Sequence, residues 1–215
     1  MSDQSLRERK IAGALLSIGA VALSPDAPFT WASGLRSPIY CDNRLTMAYP
    51  AIRRQIAEGF RDLIAEHGLA PEVIAGTATA GIPHAAWLAD TLGVPMVYVR
   101  SKPKEHGRQN QIEGLLEPGR AVVVIEDLIS TGGSSMAAVQ ALREAGARVL
   151  AVLGIFSYGF PEAKTLFAEA GIPAHTLTTF AALMDVAAEE GRIPAASKSV
   201  LDTWRRDPKA WSAAH

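Results

Sequence analysis

The stretch from Ala121 to Ala145, AVVVIEDLISTGGSSMAAVQALREA, constrains the fold of this chain more than any other segment. It opens with a continuous apolar run, Ala121 to Ile125, which predicts a strand buried on both faces of a parallel sheet. The second half predicts a helix whose apolar face carries Met136, Val139, Ala141 and Leu142. A buried strand that leads through a polar turn into a helix is typical of α/β folds, which bind ligands at the carboxyl ends of their strands.

The polar turn between this strand and this helix has two features that indicate a ligand. Ser130 to Ser134 are small or hydroxylated and precede the helix, where free N–H groups and the helix dipole favour an anion such as phosphate. Glu126 and Asp127 come before them, and carboxylate oxygens suit the paired hydroxyls of a sugar because they accept hydrogen bonds. The turn therefore predicts a ligand with sugar hydroxyls at one end and a phosphate at the other. The alternative is an ordinary connection capped by Ser130 or Thr131, with both acids solvated.

The sequence contains neither a Walker loop, G-x-x-x-x-G-K-[ST], nor a G-x-G-x-x-G turn after a strand. The stretch instead resembles the phosphoribosyl-diphosphate-binding motif of type I phosphoribosyltransferases, in which two acids and a Thr/Ser/Gly loop follow an apolar strand. The resemblance implies that Glu126 and Asp127 hold the ribose hydroxyls. It also implies that the donor lies against the loop that follows them, made of Leu128, Ile129, Ser130, Thr131, Gly132, Gly133 and Ser134.

Composition and charge exclude several classes of function. The net charge of −1 over 215 residues provides no broad basic surface, so we expect no nucleic-acid partner. The single cysteine, Cys41, excludes an internal disulfide and suits a reducing compartment. The first residues, MSDQSLRERK, lack the apolar core of a signal peptide, and no apolar run reaches membrane-spanning length. We therefore expect a cytoplasmic protein without a membrane partner, and the scattered histidines predict no structural metal site.

The N-terminal region predicts a helix from Leu6 to Val21 and then a β-hairpin between Phe29 and Asp42, with its turn at Ser33-Gly34. The pattern F-T-x-x-S-G-x-x-S-P-I-Y-x-D-x-R in this segment resembles the N-terminal hood of orotate phosphoribosyltransferases. With this hood we assign Tyr40, together with Ser130, to orotate binding. The alternative is that the aromatic residues of the hairpin only pack a small subdomain.

The segment from Arg100 to Gly114 follows a predicted strand, Pro95 to Arg100, and is polar, aperiodic and unusually long for a loop in a compact domain. Its cations suit a polyanion such as diphosphate, although a solvated charged loop is the alternative. The run R-x-x-x-K-x-H-G resembles the mobile catalytic loop of orotate phosphoribosyltransferases, which implies diphosphate contacts from Arg100, Lys104 and His106. Several members have lysine directly after the arginine, where this chain has Ser101.

The remaining elements alternate between strand and helix. We expect helices at 48–67, 82–92, 162–170 and 180–190, strands at 73–77, 148–156 and 175–179, and one terminal helix at 197–211. The predicted fold class is α/β: the type I phosphoribosyltransferase fold, with a central mostly parallel sheet flanked by helices and a small N-terminal hood. We expect a single domain over 1–215, in which 1–45 forms the hood, 46–195 the core and 196–215 the terminal helix.

Together the two resemblances imply Mg²⁺-dependent transfer of the phosphoribosyl group from phosphoribosyl diphosphate to orotate. Lys104 and Asp127 are then the catalytic residues, and Mg²⁺ is held mainly by substrate oxygens rather than directly by the protein. The family also implies a homodimer whose loop is shared between subunits. Two alternatives stay open at this point: a purine-base phosphoribosyltransferase, and a regulator that senses phosphoribosyl diphosphate while binding nucleic acid.

Overall fold

The computed structural model describes residues 3–31, 34–102, 111–194 and 197–214. The helices in these residues are α1 (Asp3–Ser17), α2 (Pro50–Glu66), α3 (Gly81–Leu92), α4 (Gly133–Glu144), α5 (Pro161–Glu169), α6 (Phe180–Glu189), α7 (Ser197–Arg206) and α8 (Pro208–Ala214). The strands are β1 (Val21–Leu23), β2 (Phe29–Thr30), β3 (Arg36–Ser37), β4 (Ile39–Cys41), β5 (Val73–Thr77), β6 (Met96–Val99), β7 (Ile112–Glu113), β8 (Ala121–Ile129), β9 (Arg148–Ser157) and β10 (Ala174–Thr179). A short 3-10 helix, Asn43–Ala48, leads into α2.

Six strands form the central sheet in the order β10-β9-β8-β5-β6-β7. The first five are parallel, and β7 pairs antiparallel with β6 at the edge. β8 lies in the interior of the sheet, and its residues from Ala121 to Ile125 are no more than 1% exposed. This burial explains the continuous apolar run and confirms the predicted α/β class.

Helices cover both faces of the sheet, and β8 contributes to both cores because successive side chains on a strand point in opposite directions. Val123 and Ile125 pack in the larger core with α1, α2, α3 and α6. Val122 and Val124 pack in the smaller core with α4 and α5. The helices therefore fix the position and tilt of β8, whose carboxyl end carries the two acids.

The N-terminal hood contains the predicted hairpin. β2 pairs antiparallel with β3, and β4 turns back to pair with β1. The predicted first helix was too long: α1 ends at Ser17, and Val21 belongs to a strand. That strand, β1, pairs with β4, and the sequence pattern did not indicate this pairing.

Two further boundaries differ from the prediction. β8 continues through Glu126 and Asp127 to Ile129, because Leu128 and Ile129 still pair with β9. The long loop ends sooner than expected, since Ile112–Glu113 forms the edge strand β7. In both cases polar residues interrupt the apolar pattern that predicts a strand, while the backbone still pairs with a neighbouring strand.

The C-terminal segment forms two helices rather than the single predicted helix. The break lies at Asp207, because the proline that follows it cannot continue the backbone hydrogen bonding of α7. After the break α8 packs on the hood, where the main-chain N–H of Arg36 donates to Ser212 Oγ at 2.8 Å. None of the helices described is both long and apolar enough to span a membrane.

Candidate active site

The two acids of β8 lie in an open cleft of about 380 Å³ at the carboxyl end of the sheet. The hood contributes one wall of this cleft, the turn before α3 a second, and the end of β8 with the start of α4 a third. The lining residues are Cys41, Asp42, Arg44, Ala78, Thr79, Ala80, Glu126, Asp127, Leu128 and Ser134. The carboxyl end of a parallel sheet is where α/β proteins bind ligands, so the position agrees with the sequence prediction.

Glu126 is held tightly although it lines the cleft. Its side chain is 5% exposed and accepts hydrogen bonds from Ser134 Oγ at 2.9 Å and from Ser135 Oγ at 3.1 Å. The main-chain N–H of Asp127 donates to the same carboxylate at 3.2 Å. These donors fix Glu126 at the start of α4, so its oxygens have less freedom to rearrange around a ligand than those of Asp127.

Asp127 is the more accessible of the two acids. Burial, the negative charge of Glu126 and a hydrogen bond with that side chain together raise the pKa of Asp127 to about 7. Its main-chain carbonyl accepts a hydrogen bond from Asn43 Nδ2 at 2.7 Å. Because this pKa is close to neutral pH, a small change in the surroundings of Asp127 changes the fraction of its carboxyl group that is charged.

The start of α4 has the geometry of an anion site. Gly132 is the N-cap residue with φ of +84°, and no side chain caps the helix. A Cβ atom at Gly132 would lie 3.1 Å from the Phe167 ring, so both the backbone angle and the packing require glycine there. The N–H groups of the first turn are thus left for water or a ligand.

The turn between β5 and α3 closes the opposite side of the cleft. Thr77 Oγ1 donates to the carbonyl of Ile125 at 3.0 Å. A Cβ at Gly81 would lie 2.5 Å from that same carbonyl, so only glycine allows the helix start to approach β8 this closely. The peptide bond between Ala78 and Thr79 is cis. Ala78, Thr79 and Ala80 of this turn line the cleft.

The base of the long loop is well anchored. The main-chain N–H of Arg100 donates to the Gln111 carbonyl at 2.9 Å, and Gln111 Nε2 donates back to the Arg100 carbonyl at 2.8 Å. The Arg100 guanidinium lies 3.8 Å from a Glu113 carboxylate oxygen. Lys104 and His106, assigned to the diphosphate from the sequence, lie outside the described residues.

The two residues assigned to orotate lie on different parts of the site. Tyr40 is 42% exposed, with its ring centroid 5.8 Å from that of Phe29 in the hood. Ser130 lines a neighbouring cavity of about 680 Å³ with Trp31 and Thr131, and Tyr40 is not part of that lining. Another cavity, of about 550 Å³, lies on the α5 side of the turn after β9.

Comparison with known proteins identifies the family. A model of the phosphoribosyl transferase domain matches residues 47–157. The chain is 59% identical to an orotate phosphoribosyltransferase of Bacillus pumilus over 203 residues, covering 94% of this chain and 96% of that protein. The chain belongs to the orotate phosphoribosyltransferase family.

Solved structures agree with this family assignment. The orotate phosphoribosyltransferase of Aeropyrum pernix superposes with a TM-score of 0.73 at 29% identity, covering 86% of this chain and 99% of that one. The UMP synthase of Leishmania donovani superposes with a TM-score of 0.78 at 27% identity, covering 92% of this chain and 42% of that one. The fold predicted from the central motif and the hood is therefore the fold of this family.

One residue that supports the site, Asn43, was missed by the sequence analysis. Asn43 is fully buried and bonded to the carbonyl of Asp127. It occupies a variable position in the hood pattern. Its importance depends on a contact between distant segments, and no local pattern indicates such a contact.

Among the described residues, no group of three or more His, Cys, Asp or Glu side chains is placed to hold a metal ion.

Proposed function

We propose that this protein transfers the phosphoribosyl group of phosphoribosyl diphosphate to orotate, giving orotidine 5-phosphate and diphosphate in pyrimidine biosynthesis. The observation that carries the proposal is the cleft in which Asp127, the uncapped start of α4 and the hood meet, in a chain 59% identical to an orotate phosphoribosyltransferase.

The donor occupies this cleft with its ribose at the acids and its phosphate at α4. Asp127 accepts hydrogen bonds from the ribose hydroxyls, and Glu126 supports this contact from its fixed position at Ser134 and Ser135. The phosphate binds the main-chain N–H groups and hydroxyls of the loop that begins at Ser130. An uncapped helix start with glycine as N-cap supports this assignment, because its free donors favour negative charge.

The chemical step is the departure of diphosphate from the anomeric carbon, with positive charge developing on the sugar ring. Negative charge accumulates on the leaving group, and Lys104, Arg100 and His106 stabilise it electrostatically. The carboxylate of Asp127 lies near the ring and favours its cationic form. Closure of the loop excludes water, which would otherwise hydrolyse the donor.

A divalent cation fits this site as a partner of the substrate. The carboxylates of Glu126 and Asp127 are hard oxygen groups of the type that Mg²⁺ prefers, and Mg²⁺ commonly binds through substrate phosphates and one or two carboxylates. Mg²⁺ would be held mainly by the oxygens of the donor, and it would supply charge neutralisation for the departing diphosphate.

The working unit is a homodimer in which the loop of one subunit serves the site of the other. Leu45, Met47 and Tyr49 are 42%, 38% and 43% exposed and lie directly after the cleft residue Arg44, which supports an apolar interface beside the site. We place the reaction in the cytoplasm, where a free thiol such as that of Cys41 stays reduced.

The test is a steady-state assay with protein, Mg²⁺, phosphoribosyl diphosphate and orotate, followed by the loss of orotate absorbance. We expect turnover with orotate that depends on Mg²⁺. A parallel screen of adenine, guanine, hypoxanthine and uracil tests the choice of base. Turnover with a purine in place of orotate would overturn the proposal while leaving the family assignment intact.

A further inference from the structure

His84, near the start of α3, is a buried histidine that contacts the short 3-10 helix before α2. Its side chain is 1% exposed, and its Nε2 lies 3.3 Å from Thr46 Oγ1. Its Nδ1 has no hydrogen-bond partner among the residues that the structure describes. The ring packs edge-on against Trp87, with 5.2 Å between the ring centroids. Packing therefore fixes the orientation of the imidazole, with Nε2 directed at Thr46.

The hydrogen bonds around Thr46 decide which nitrogen of His84 carries the proton. Thr46 Oγ1 donates its single proton to the main-chain carbonyl of Asn43 at 2.6 Å. The same oxygen can therefore only accept a hydrogen bond from His84, so Nε2 carries the ring proton and Nδ1 carries a lone pair. Burial lowers the pKa of His84 to about 4, so the ring keeps this neutral form at neutral pH.

The hydrogen bonds continue in series from His84 to the acid proposed to hold the ribose. His84 donates to Thr46, and Thr46 donates to the carbonyl of Asn43. The side-chain amide of Asn43 then donates to the carbonyl of Asp127 at 2.7 Å. Thr46 and Asn43 are completely buried, so water does not compete for these bonds. Three bonds thus join α3, the 3-10 helix and β8, which carry the three walls of the cleft.

This series of bonds also fixes two residues that line the cleft. Asp42 and Arg44 flank Asn43 in the chain, and they form an ion pair at 2.6 Å. Because Asn43 is bonded through its side chain on one side and through its main-chain carbonyl on the other, it cannot move without breaking one of these bonds. The bonds to Asn43 therefore set where Asp42 and Arg44 stand relative to the acids of β8.

Helix α3 provides a fixed end for this series of bonds. A Cβ at Gly81, the first residue of α3, would lie 2.5 Å from the carbonyl of Ile125, so the start of the helix packs directly against β8. His84 follows three residues later on the buried side of the same helix. The hood is therefore bonded to a helix whose position against β8 is already set.

We propose that His84 is a positioning residue, which sets the distance between the hood and Asp127 and thereby governs binding of the donor. The inference rests on the proposed function, because it takes phosphoribosyl diphosphate as the donor. His84 is buried and does not line the cleft, so it acts through Thr46 rather than by touching the donor. Without its bond, Thr46 and the 3-10 helix are free to shift, and the donor meets a cleft of different width.

The experiment compares two substitutions of His84. His84→Leu removes the N–H donor and keeps an apolar side chain in the core, whereas His84→Gln keeps an N–H donor. We expect His84→Leu to weaken binding of phosphoribosyl diphosphate with Mg²⁺, measured by calorimetry, about 10- to 100-fold, the order of loss for a small misplacement of a site. The kcat/KM for the same substrate should fall by a similar factor. His84→Gln should recover most of both losses.

Leu88→Ala is the matched control on the same helix. Leu88 is completely buried, so its truncation leaves a cavity in the core and should lower the Tm clearly. His84→Leu removes one long hydrogen bond together with the unpartnered Nδ1, so its Tm should fall less than that of Leu88→Ala. Binding of the donor should show the opposite order, with a large loss in His84→Leu and none in Leu88→Ala.

A double-mutant cycle tests whether His84 acts through Thr46. Thr46→Val keeps the shape of the side chain and removes the hydroxyl, so it breaks the same series of bonds. We expect Thr46→Val to weaken donor binding as His84→Leu does, and the double variant to be no weaker than the worse of the two single variants. Losses that add in the double variant would show that the two residues act independently, and the inference would be wrong.

The outcomes separate this inference from the proposed function. If the wild-type protein turns over orotate and His84→Leu binds the donor normally, the inference is wrong and the proposed function stands. If His84→Leu and Leu88→Ala lose donor affinity equally, His84 acts only through the stability of α3, and the inference is again wrong. A wild-type protein that binds the donor but uses another base would overturn the proposed function and leave the donor measurements as a valid test of His84. A wild-type protein that binds no phosphoribosyl diphosphate would overturn both.

Discussion

The side-chain amide of Asn43 donates a 2.7 Å hydrogen bond to the main-chain carbonyl of Asp127. Asn43 is completely buried, and its Oδ1 accepts a weak hydrogen bond from Cys41 Sγ at 3.4 Å. One side chain therefore ties the hood to the end of β8, at the residue proposed to hold the ribose. The bond sets the width of the cleft between the two walls.

We expect Asn43→Ala to lower the free energy of unfolding by about 1–3 kcal/mol, because it leaves a buried carbonyl unpaired. It should also lower kcat/KM for phosphoribosyl diphosphate by roughly tenfold or more, since small displacements of a positioning group are costly to catalysis. Urea unfolding and steady-state kinetics measure the two effects. Ser37→Ala is the matched control, because Ser37 is equally buried but bonds only within the hood, to the carbonyl of Ile39 at 2.8 Å. Equal kinetic losses in both variants would show that Asn43 acts only through hood stability.

Asp127 should make the protein less stable as the pH rises. Its pKa in the folded state is about 7, above the usual value of 3.8, so the folded protein disfavours the charged form. The free energy of unfolding is therefore highest, as far as Asp127 is concerned, below about pH 4, where the carboxyl is neutral in both states. It declines as the pH rises through about 7.

Asp127→Asn removes this titration. We expect the variant to match the wild type near pH 4 and to exceed its unfolding free energy by about 1–3 kcal/mol at pH 8. Urea unfolding at both pH values measures the difference, and a variant less stable than the wild type at pH 8 would contradict the prediction.

Two adjacent glycines at the start of α4 should respond differently to alanine. Gly132 has φ of +84° and touches the Phe167 ring, so Gly132→Ala should cost about 1–3 kcal/mol of stability. Gly133 begins the helix, and a Cβ there would meet nothing within 4 Å. Gly133→Ala should therefore be neutral or stabilising by up to about 1 kcal/mol. Thermal unfolding of the two variants tests the geometry of the turn before α4. Equal destabilisation of both variants would contradict the described geometry.

The parts of the molecule that the sequence predicted well are those with local causes. The apolar run before Glu126 predicted a buried central strand, and the small residues after it predicted a turn into a helix, which is α4. Anion binding at that helix start stays a prediction. The predicted end of β8 was too early. The two acids interrupt the apolar pattern, but the backbone continues to pair with β9 as far as Ile129. The proline after Asp207 is a local signal for the break between α7 and α8, which the single predicted helix did not include.

The contacts that complete the site could not be predicted in the same way. The bond from Asn43 to Asp127 joins residues 84 positions apart, and the contact of His84 with Thr46 joins residues 38 positions apart. Such contacts arise from tertiary packing, which leaves no periodic signal in one sequence. The roles of Lys104 and His106 stay predictions, because both residues lie outside the described part of the chain.

Lys104→Ala should lower kcat and kcat/KM together, because the proposed bond to diphosphate strengthens as the leaving group departs. A lysine within a polar loop has little apolar packing to lose, so the Tm should change by less than about 2 °C. Lys10→Ala, at an exposed position of α1, is the control. Lys102→Ala separately tests whether Lys102 replaces the lysine missing at Ser101. Loss of donor affinity with kcat intact would show that Lys104 binds the donor without assisting the reaction.

The last prediction concerns a site shared between two subunits. Lys104→Ala removes the loop lysine, and Asp127→Asn removes the ribose-binding carboxylate, so each homodimer should be nearly inactive alone. If the loop acts on the neighbouring subunit, a mixed dimer contains one site with both defects and one site with neither. Subunit exchange should then restore activity, up to about a quarter of the wild-type value, because half of the subunits join mixed dimers at random and half of their sites are intact. Native mass spectrometry confirms that exchange has occurred. If mixed dimers form and activity does not return, each loop serves its own subunit and the shared site is excluded.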